Sequence, residues 1–366
     1  MATYIHELDD WPAFRWDVAG VAERLGDVRH RQGRLIGRME AMGLPLRTQA
    51  SLQTLTEDVL KTSEIEGEIL DTDQVRSSLA HRLGVDIGAL APSDRHVDGI
   101  VDMMLDATQT YQARLTSDRL FGWHASLFPT GRSGMARMTV GGLRRAQGDP
   151  MQVVSGPLGR ERVHFQAPEA GLLAMETARF LRWFNDGPTM DPVLKAAVAH
   201  LWFVTLHPFD DGNGRIARTI CDMALARSEN SPQRFYSLSA QIRIERAAYY
   251  EILERTQKGD LDITDWLQWF LGCLDRAFDG ADATLAAVLK TARFWEAHAD
   301  ALLNTRQRKG VNRLLSGFEG KLTSSKWAAM TACSQDTALR DIDGLVTLGM
   351  LVKDPAGGRS TGYSLT

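Results

Sequence analysis

The chain has 366 residues, of which 44% are hydrophobic and 24% are charged, and its formal net charge at pH 7 is −4. These values are ordinary for a globular protein, so they exclude wholesale disorder and argue against a uniformly basic nucleic-acid-binding protein. At about 100–200 residues per domain, the length predicts two or three domains.

The spacing of the cysteines and the length of the apolar segments indicate which cellular compartment to expect. Cys221, Cys273 and Cys333 lie far apart, so neither a disulfide framework nor a cysteine-based zinc site is predicted. The first residues lack the layout of a signal peptide. No run reaches the roughly 18 apolar residues that a membrane-spanning helix needs. We therefore expect a cytoplasmic protein with no membrane segment.

Residues 1–90 are expected to form a helical N-terminal region. Its aromatic residues Trp11, Phe14 and Trp16 are interpreted as packing residues. Further along, the segment KTSEIEG places Thr62 and Glu66 four residues apart. On a helix, this spacing puts both side chains on one face.

Helical periodicity dominates residues 91–295. Between residues 97 and 105, apolar residues recur at i, i+3, i+4, i+7 and i+8, which predicts a helix with one buried face. Further helices are predicted at 172–184, 193–206, 240–256 and 262–278. Strands and helices do not alternate, so the pattern favours a mainly α fold over a doubly wound sheet.

One segment departs from this pattern. Residues 151–155 (MQVVS) and 162–166 (RVHFQ) flank a turn-rich stretch that contains glycine and proline. This arrangement is typical of a β-hairpin. We therefore expect one hairpin within the helical core.

Residues 300–366 change character. Helical segments are followed by two short strand-like segments, which is the element order of a winged helix-turn-helix domain. The net charge from residue 306 to the end is +4, whereas the chain as a whole is negative. This asymmetry favours a separate small domain, with a boundary near residues 295–310.

The most informative segment is HPFDDGNGRIAR at residues 207–218. It lies between two apolar helical segments, so it is predicted to be a loop that leads into a helix N-terminus. Free amides and the helix dipole favour anions at such a terminus. Gly212 and Gly214 let the backbone approach an anion closely, and Asn213 adds a donor.

Charged side chains complete this segment. Arg215 and Arg218 lie one turn apart and are suited to clamp phosphates. Asp211 is a hard oxygen ligand for Mg²⁺ beside phosphates, and His207 can act as a base near neutral pH. Together they predict phosphoryl or nucleotidyl transfer; taken singly, each would fit a tight turn with surface arginines.

The segment resembles the Fic motif HxFx(D/E)GNGRxxR and matches it at every defining position. Fic proteins typically transfer AMP from ATP to a hydroxyl side chain of a target protein. The resemblance implies a helical Fic core with ATP and Mg²⁺ bound. In that core His207 would deprotonate the target hydroxyl, Phe209 would anchor the loop and Asp211 would hold Mg²⁺.

The same resemblance assigns the polyphosphate contacts. Gly212, Asn213 and Gly214 would cradle the α- and β-phosphates. Arg215 would contact the β-phosphate, and Arg218 would contact the γ-phosphate.

Two further segments extend the resemblance. The hairpin occupies the place of the family's flap, which binds a target by strand addition; an ordinary structural hairpin is the alternative. The implied target-binding residues are Met151, Gln152, Val153, Val154 and Val163. Residues 237–253 resemble the helix that contacts adenine, with Tyr250 as the candidate and core packing as the alternative for the pair with Tyr249. Gln257 stands where many relatives have Asn.

The segment at 62–67 resembles the inhibitory motif (S/T)xxxE(G/N), with Thr62, Glu66 and Gly67 at the defining positions. The resemblance implies that Glu66 pairs with Arg218 and displaces the γ-phosphate. ATP would then bind with its phosphates misplaced for in-line attack. The alternative is a solvated acidic helix end.

The resemblance thus implies an autoinhibited protein adenylyltransferase that acts on an unknown target protein, for which the protein itself is one candidate. One alternative is a deAMPylase, in which Glu66 activates water. Another is a DNA-binding regulator that uses the Fic core as a nucleotide sensor. A phosphotransferase is disfavoured, because the motif keeps Gly214. Relatives often form homodimers, although no residue here specifies one.

The C-terminal domain offers basic residues for DNA phosphates, namely Lys326, Arg340, Lys353 and Arg359. Carboxylates in the expected recognition-helix region oppose that interpretation, because they repel the phosphate backbone: Asp336, Asp341 and Asp343. A protein-interaction or dimerisation module is therefore the alternative.

Overall fold

The computed structural model describes residues 4–87, 91–146, 150–157, 159–187, 189–315, 318, 320–355 and 361–366. It is mainly helical with a few short strands, which confirms the predicted fold class. The N-terminal region forms a short 3₁₀ helix, Ile5–Glu7, and three α-helices. These are α1 (Val18–Glu40), α2 (Leu44–Ile65) and α3 (Thr72–Leu83).

The central region contains five helices and two hairpins. The helices are α4 (Arg95–Gln109), α5 (Ser117–Leu127), α6 (Leu173–Asp186), α7 (Pro192–Leu206) and α8 (Asn213–Glu229). The hairpins are β1 (Arg132–Ser133) with β2 (Ala136–Arg137), and β3 (Gln152–Ser155) with β4 (Arg162–Gln166). Another 3₁₀ helix, Ala170–Leu172, precedes α6. The antiparallel β3–β4 pair confirms the predicted hairpin.

Three helices complete the core: α9 (Leu238–Ile244), α10 (Arg246–Gln257) and α11 (Thr264–Ala297). The single helix predicted at 240–256 is wrong, because Glu245 leaves helical geometry between α9 and α10. The prediction at 262–278 covers only the first part of the 34-residue α11. The apolar periodicity continues through this helix, which buries Leu285 and Val288 in the same core.

Helix α7 lies at the centre of the main hydrophobic core. Every residue from Ala196 to Leu206 is buried, so this helix packs on all sides. It is followed directly by the loop 207–212 and by α8, whose first turn is also buried. A buried helix on each side leaves the intervening loop little freedom, and this holds the predicted chemical centre in place.

The N-terminal residues pack against this core. Trp11 and Phe14 contact the ring of Trp202 on α7, with ring centroids 6.1 and 5.8 Å away, in agreement with their interpretation as packing residues. The indole of Trp11 donates a hydrogen bond to Glu176 Oε2 over 3.0 Å. The start of the chain is thereby joined to the central helices.

The C-terminal residues have a hydrophobic core of their own, built around the fully buried Trp327. The elements are α12 (Thr305–Leu315), α13 (Ser324–Thr331), α14 (Gln335–Thr347), β5 (Leu351–Lys353) and β6 (Tyr363–Leu365). Strands β5 and β6 pair antiparallel. Arg313 forms an ion pair with Asp73 of α3 over 2.9 Å. The assignment as a winged helix stays a prediction.

Among the described residues, no helix combines the length and the apolar character that crossing a bilayer requires.

Candidate active site

The predicted chemical centre opens into a cavity of about 760 Å³. Its walls come from four parts of the chain: the loop after α7, the hairpin β3–β4, helix α10 and the end of α2. His207, Asp211, Gly214, Tyr250 and Glu66 all line it. The fold therefore brings together residues that are up to 184 positions apart in the sequence.

The loop is shaped by two left-handed residues. His207 ends α7 with φ 48°, and Gly212 precedes α8 with φ 79°. A Cβ atom at Gly212 would lie 2.9 Å from the ring of Phe128, so a larger residue does not fit. The side chain of Asn213 closes the loop through two hydrogen bonds of 2.9 Å with the backbone of Phe209. Its amide group is thus engaged within the loop, and its backbone N–H is what it can offer to a ligand.

The first turn of α8 forms an anion-binding nest. Within the described residues, the backbone N–H groups of Asn213, Gly214 and Arg215 have no hydrogen-bond partner. Free amides at a helix N-terminus attract phosphate. A methyl group at Gly214 would collide with Glu66 Oε1, so a glycine here leaves room for the Glu66 carboxylate beside the nest.

His207 is neutral and carries its hydrogen on Nδ1. Its Nδ1 lies 3.3 Å from the carbonyl oxygen of Val204, which can only accept, so Nδ1 carries the hydrogen and Nε2 is free as a base. Burial lowers the pKa of His207 to about 4. The ring is therefore neutral at pH 7.

Arg144 positions the loop 207–212, and sequence reasoning missed it. Its backbone N–H donates to the carbonyl of Pro208 over 2.9 Å, and its Nε donates to the carbonyl of His207 over 2.9 Å. A third hydrogen bond joins its guanidinium to the carbonyl of Pro168. Nothing in the segment GGLRRAQ pointed to this role, because each partner is a backbone carbonyl distant in sequence.

Phe209 anchors the loop in the hydrophobic core. Its side chain is fully buried, and its ring stacks on His124 with centroids 4.3 Å apart. Phe121 packs edge-on against the same ring and Phe203 packs at a tilt, each with its ring centre 6.3 Å away. This environment is an apolar socket in the core.

Asp211 faces the cavity with both oxygens oriented by neighbours. Oδ2 accepts from Ser133 Oγ over 2.5 Å, and Oδ1 accepts from the amide of Gly212 over 2.6 Å. Among the described residues, no cluster of three or more metal-ligating side chains exists. A single carboxylate fits Mg²⁺ that arrives with a polyphosphate, because Mg²⁺ in such sites takes one or two carboxylates and completes its shell with phosphate oxygens and water.

Arg218 is almost fully buried and is held by the end of α2. Its Nε donates to Thr62 Oγ1 over 2.7 Å, and its Nη2 lies 2.7 Å from Glu66 Oε1 and 3.0 Å from the carbonyl of Thr62. Its other terminal nitrogen, Nη1, has no partner in the described part of the chain. Gly67 follows with φ 86°, a left-handed backbone conformation that glycine adopts without strain.

Arg215 occupies a different environment from Arg218. Its Nη1 donates to Glu68 Oε2 over 3.0 Å, and its guanidinium lies 5.2 Å from the ring centre of Phe128. Glu68 also accepts a hydrogen bond from His96. These residues line a second cavity of about 520 Å³, which shares Glu66 and Asp211 with the first.

The hairpin and α10 form the opposite wall. Four of the predicted flap residues line the cavity, namely Met151, Gln152, Val153 and Val154. Val163 pairs with Val154 across the hairpin but is not among the lining residues, whereas the neighbouring His164 is. His164 Nδ1 lies 2.6 Å from Glu254 Oε2, which ties β4 to α10. Sequence reasoning missed this link.

The tyrosine pair divides between core and cavity. Tyr249 is buried, and its hydroxyl lies 2.8 Å from His200 Nε2. Tyr250 is 39% exposed, lines the cavity and lies beneath the guanidinium of Arg246. Gln257 is buried and donates to Thr205 Oγ1 over 3.2 Å. Contact of Tyr250 with adenine stays a prediction.

The basic residues proposed to contact DNA are exposed where the structure describes them, at Lys326, Arg340 and Lys353. Arg359 lies outside the described residues. Of the carboxylates, Asp341 is buried in an ion pair with Arg306 at 2.9 Å. The negative charge of Asp341 is therefore balanced by Arg306. DNA binding by the C-terminal residues stays a prediction.

Comparisons with known proteins match two parts of this chain to protein families. Residues 114–225 match the Fic/DOC family, and residues 4–85 match a domain of unknown function (DUF4172). The protein adenylyltransferase Fic of Drosophila ananassae is 26% identical over 238 residues, which cover 63% of this chain and 42% of that protein. Its counterpart in Drosophila melanogaster is 32% identical over 141 residues, which cover 37% of this chain and 27% of that protein.

The chain therefore spans less than half of the length of these curated relatives. A crystal structure of a Fic family protein from Desulfovibrio desulfuricans G20 has the same fold, with a TM-score of 0.53 at 18% identity. That match covers 96% of this chain and 97% of the other.

Proposed function

The chain is a Fic family protein, and on that premise we propose that it is an autoinhibited protein adenylyltransferase. It transfers AMP from Mg²⁺-bound ATP to a serine, threonine or tyrosine hydroxyl of a target protein. The observation that carries this proposal is the single cavity in which a neutral His207, the carboxylate of Asp211 and the nest at the start of α8 meet.

The reaction follows from these groups. The target hydroxyl oxygen attacks the α-phosphorus, the bond to the β-phosphate bridging oxygen breaks, and pyrophosphate leaves. His207 Nε2 accepts the hydroxyl proton. The free amides of Asn213 and Gly214 hold negative charge on the polyphosphate. Mg²⁺, held by Asp211, would neutralise charge on the phosphates.

Glu66 restrains this activity. Its carboxylate occupies Arg218 at 2.7 Å, and Thr62 takes the remaining bonds on that side of the guanidinium. The unpartnered Nη1 of Arg218 marks a donor that a γ-phosphate could use once Glu66 moves. With Glu66 in place, the polyphosphate is deflected from in-line geometry, and a displacement of about 1 Å can cost on the order of a hundredfold in rate.

The decisive experiment compares transfer from ATP radiolabelled at the α-phosphate by three proteins. These are the wild type, Glu66→Gly, and Glu66→Gly combined with His207→Ala. We expect strong labelling of protein only with the single variant. The same assay with label on the γ-phosphate controls for phosphate transfer. Equal labelling by all three proteins, or label from the γ-phosphate only, would refute the proposal.

The reverse reaction is a second candidate, because Glu66 and His207 line the same cavity. A carboxylate at that place can activate water for removal of AMP from a modified hydroxyl. Incubating the wild type and Glu66→Gln with an AMP-modified target separates the two directions. Release of AMP by the wild type, lost in Glu66→Gln, would support deAMPylation.

A further inference from the structure

Both arginines of the 207–218 segment are paired with carboxylates from the same short stretch of chain. Glu66 forms an ion pair with Arg218 at 2.7 Å, and Glu68 forms one with Arg215 at 3.0 Å. Both guanidiniums are almost fully buried, at 2% and 6% side-chain exposure. The Glu68 contact is additional to the inhibitory motif, whose defining positions end at Gly67.

Building on the proposed function, we infer that Glu68 is a positioning residue that withholds Arg215 from the nucleotide. The restraint then has two parts. Glu66 keeps Arg218 from the γ-phosphate, and Glu68 keeps Arg215 from the β-phosphate.

The first support is the place of the Arg215 side chain. It lines the second cavity and, within the described residues, is not among those that line the first. Asp211 and Glu66 line both, so the two cavities adjoin at the start of α8. The pair with Glu68 thus keeps the Arg215 guanidinium in the second cavity, beside but outside the lining of the first.

The second support is that Glu68 is itself held in place. His96 Nδ1 lies 3.2 Å from the carbonyl oxygen of Leu127, and its Nε2 lies against Glu68 Oε1. Both partners accept hydrogen bonds, and the hydrogen bond with Glu68 raises the pKa of His96. The Glu68 carboxylate therefore lies between His96 and Arg215, which hold it in place.

The third support is that Arg215 is incompletely satisfied where it lies. Its Nε is buried and has no hydrogen-bond partner within the described residues. A buried donor without a partner is unfavourable. A phosphate oxygen would supply the missing acceptor, so exchange of Glu68 for a phosphate gains a hydrogen bond.

The experiment removes Glu68 after the first restraint has been removed. Isothermal titration calorimetry with Mg²⁺ present measures the affinities for ATP, ADP and AMP of two proteins. One is Glu66→Gly, and the other is Glu66→Gly combined with Glu68→Gln. Glu64→Gln in the same background is the matched control. Glu64 belongs to the same helix end but pairs with Lys61 and Arg243 rather than with either arginine of the segment.

We expect Glu68→Gln to tighten ATP and ADP binding about tenfold, the value of one charge-assisted hydrogen bond. AMP lacks a β-phosphate, so its affinity should change by less than about twofold. The control should leave all three affinities unchanged. Glu68→Ala, which also removes the carboxylate, should tighten ATP binding by a similar factor, and it replaces Glu68→Gln if that variant fails to fold.

Two results would overturn the inference. One is equal tightening of ATP and AMP, which would indicate a general effect on the cavity. The other is weaker ATP binding, which would mean that Glu68 orients Arg215 productively. Absence of AMP transfer by every variant would refute the proposed function instead, and the comparison of ATP with AMP affinity would still decide the role of Glu68.

Discussion

Neutralising Glu66 should lower the stability of the nucleotide-free protein while it raises transfer activity. In Glu66→Gln, Arg218 would keep its bonds to Thr62 but lose its countercharge. Breaking a buried ion pair costs about 3–5 kcal/mol, whereas an exposed pair contributes about 0–1 kcal/mol. Arg218 is 2% exposed but Glu66 is 31% exposed, so the expected cost is about 1–3 kcal/mol.

Thermal unfolding measures this cost. A loss of about 1–3 kcal/mol should lower the Tm by about 2–8 °C for a cooperative unit of this size. The control Glu64→Gln removes a similarly exposed carboxylate, but its partners Lys61 and Arg243 are 33% and 44% exposed, whereas Arg218 is 2% exposed. It should change the Tm by less than about 2 °C.

Mg-ATP should raise the Tm of Glu66→Gln above that of the wild type. Ligand at about 100 times its Kd stabilises a protein by about 2.7 kcal/mol. In Glu66→Gln the γ-phosphate can take the place of the lost carboxylate on Arg218, so ATP should raise the Tm of the variant by more than that of the wild type. Identical Tm values without ATP, together with identical shifts with ATP, would refute the reasoning.

Three further predictions concern the loop and the hairpin. Phe209→Ala should destabilise the protein by about 3–5 kcal/mol, because the ring is fully buried in its socket; an unchanged Tm would contradict the anchoring role. Since the pKa of His207 is lowered to about 4, its imidazole NMR signals should keep the neutral form from pH 8 down to about pH 5, with His207→Ala used for assignment; a midpoint near 6.5 would contradict the burial argument. Hydrogen bonds from Lys258, His164 and Arg162 lower the pKa of Glu254 to about 2, so it is ionised throughout the working range. Glu254→Gln should therefore speed hydrogen exchange in β3 and β4 about tenfold, whereas the exposed Glu251→Gln on the same helix should not.

Much of the molecule could be predicted from the sequence because the relevant information is local. Helical periodicity gave the right type for α4 and α7, and alternation with turn residues located the hairpin β3–β4. The prediction was wrong where apolar pattern continued across a break, as at Glu245, since periodicity does not report a local change in backbone direction.

The chemical centre was equally accessible, because it lies within twelve consecutive residues whose order alone defines a helix N-terminus with phosphate-binding side chains. The side chain of Asn213 shows the limit of that reasoning. Its donor was expected to face a ligand, yet it closes the loop on Phe209.

By itself, then, the sequence determined the helical class, the hairpin and the identity of the loop 207–218. Tertiary structure alone decided that Glu68 holds Arg215, that Arg144 fixes the carbonyl of His207, and that Glu254 ties down His164. Each of these contacts joins residues more than 60 positions apart. Hydrophobic periodicity reports which face of an element is buried, but which polar side chains meet across elements depends on how the elements pack.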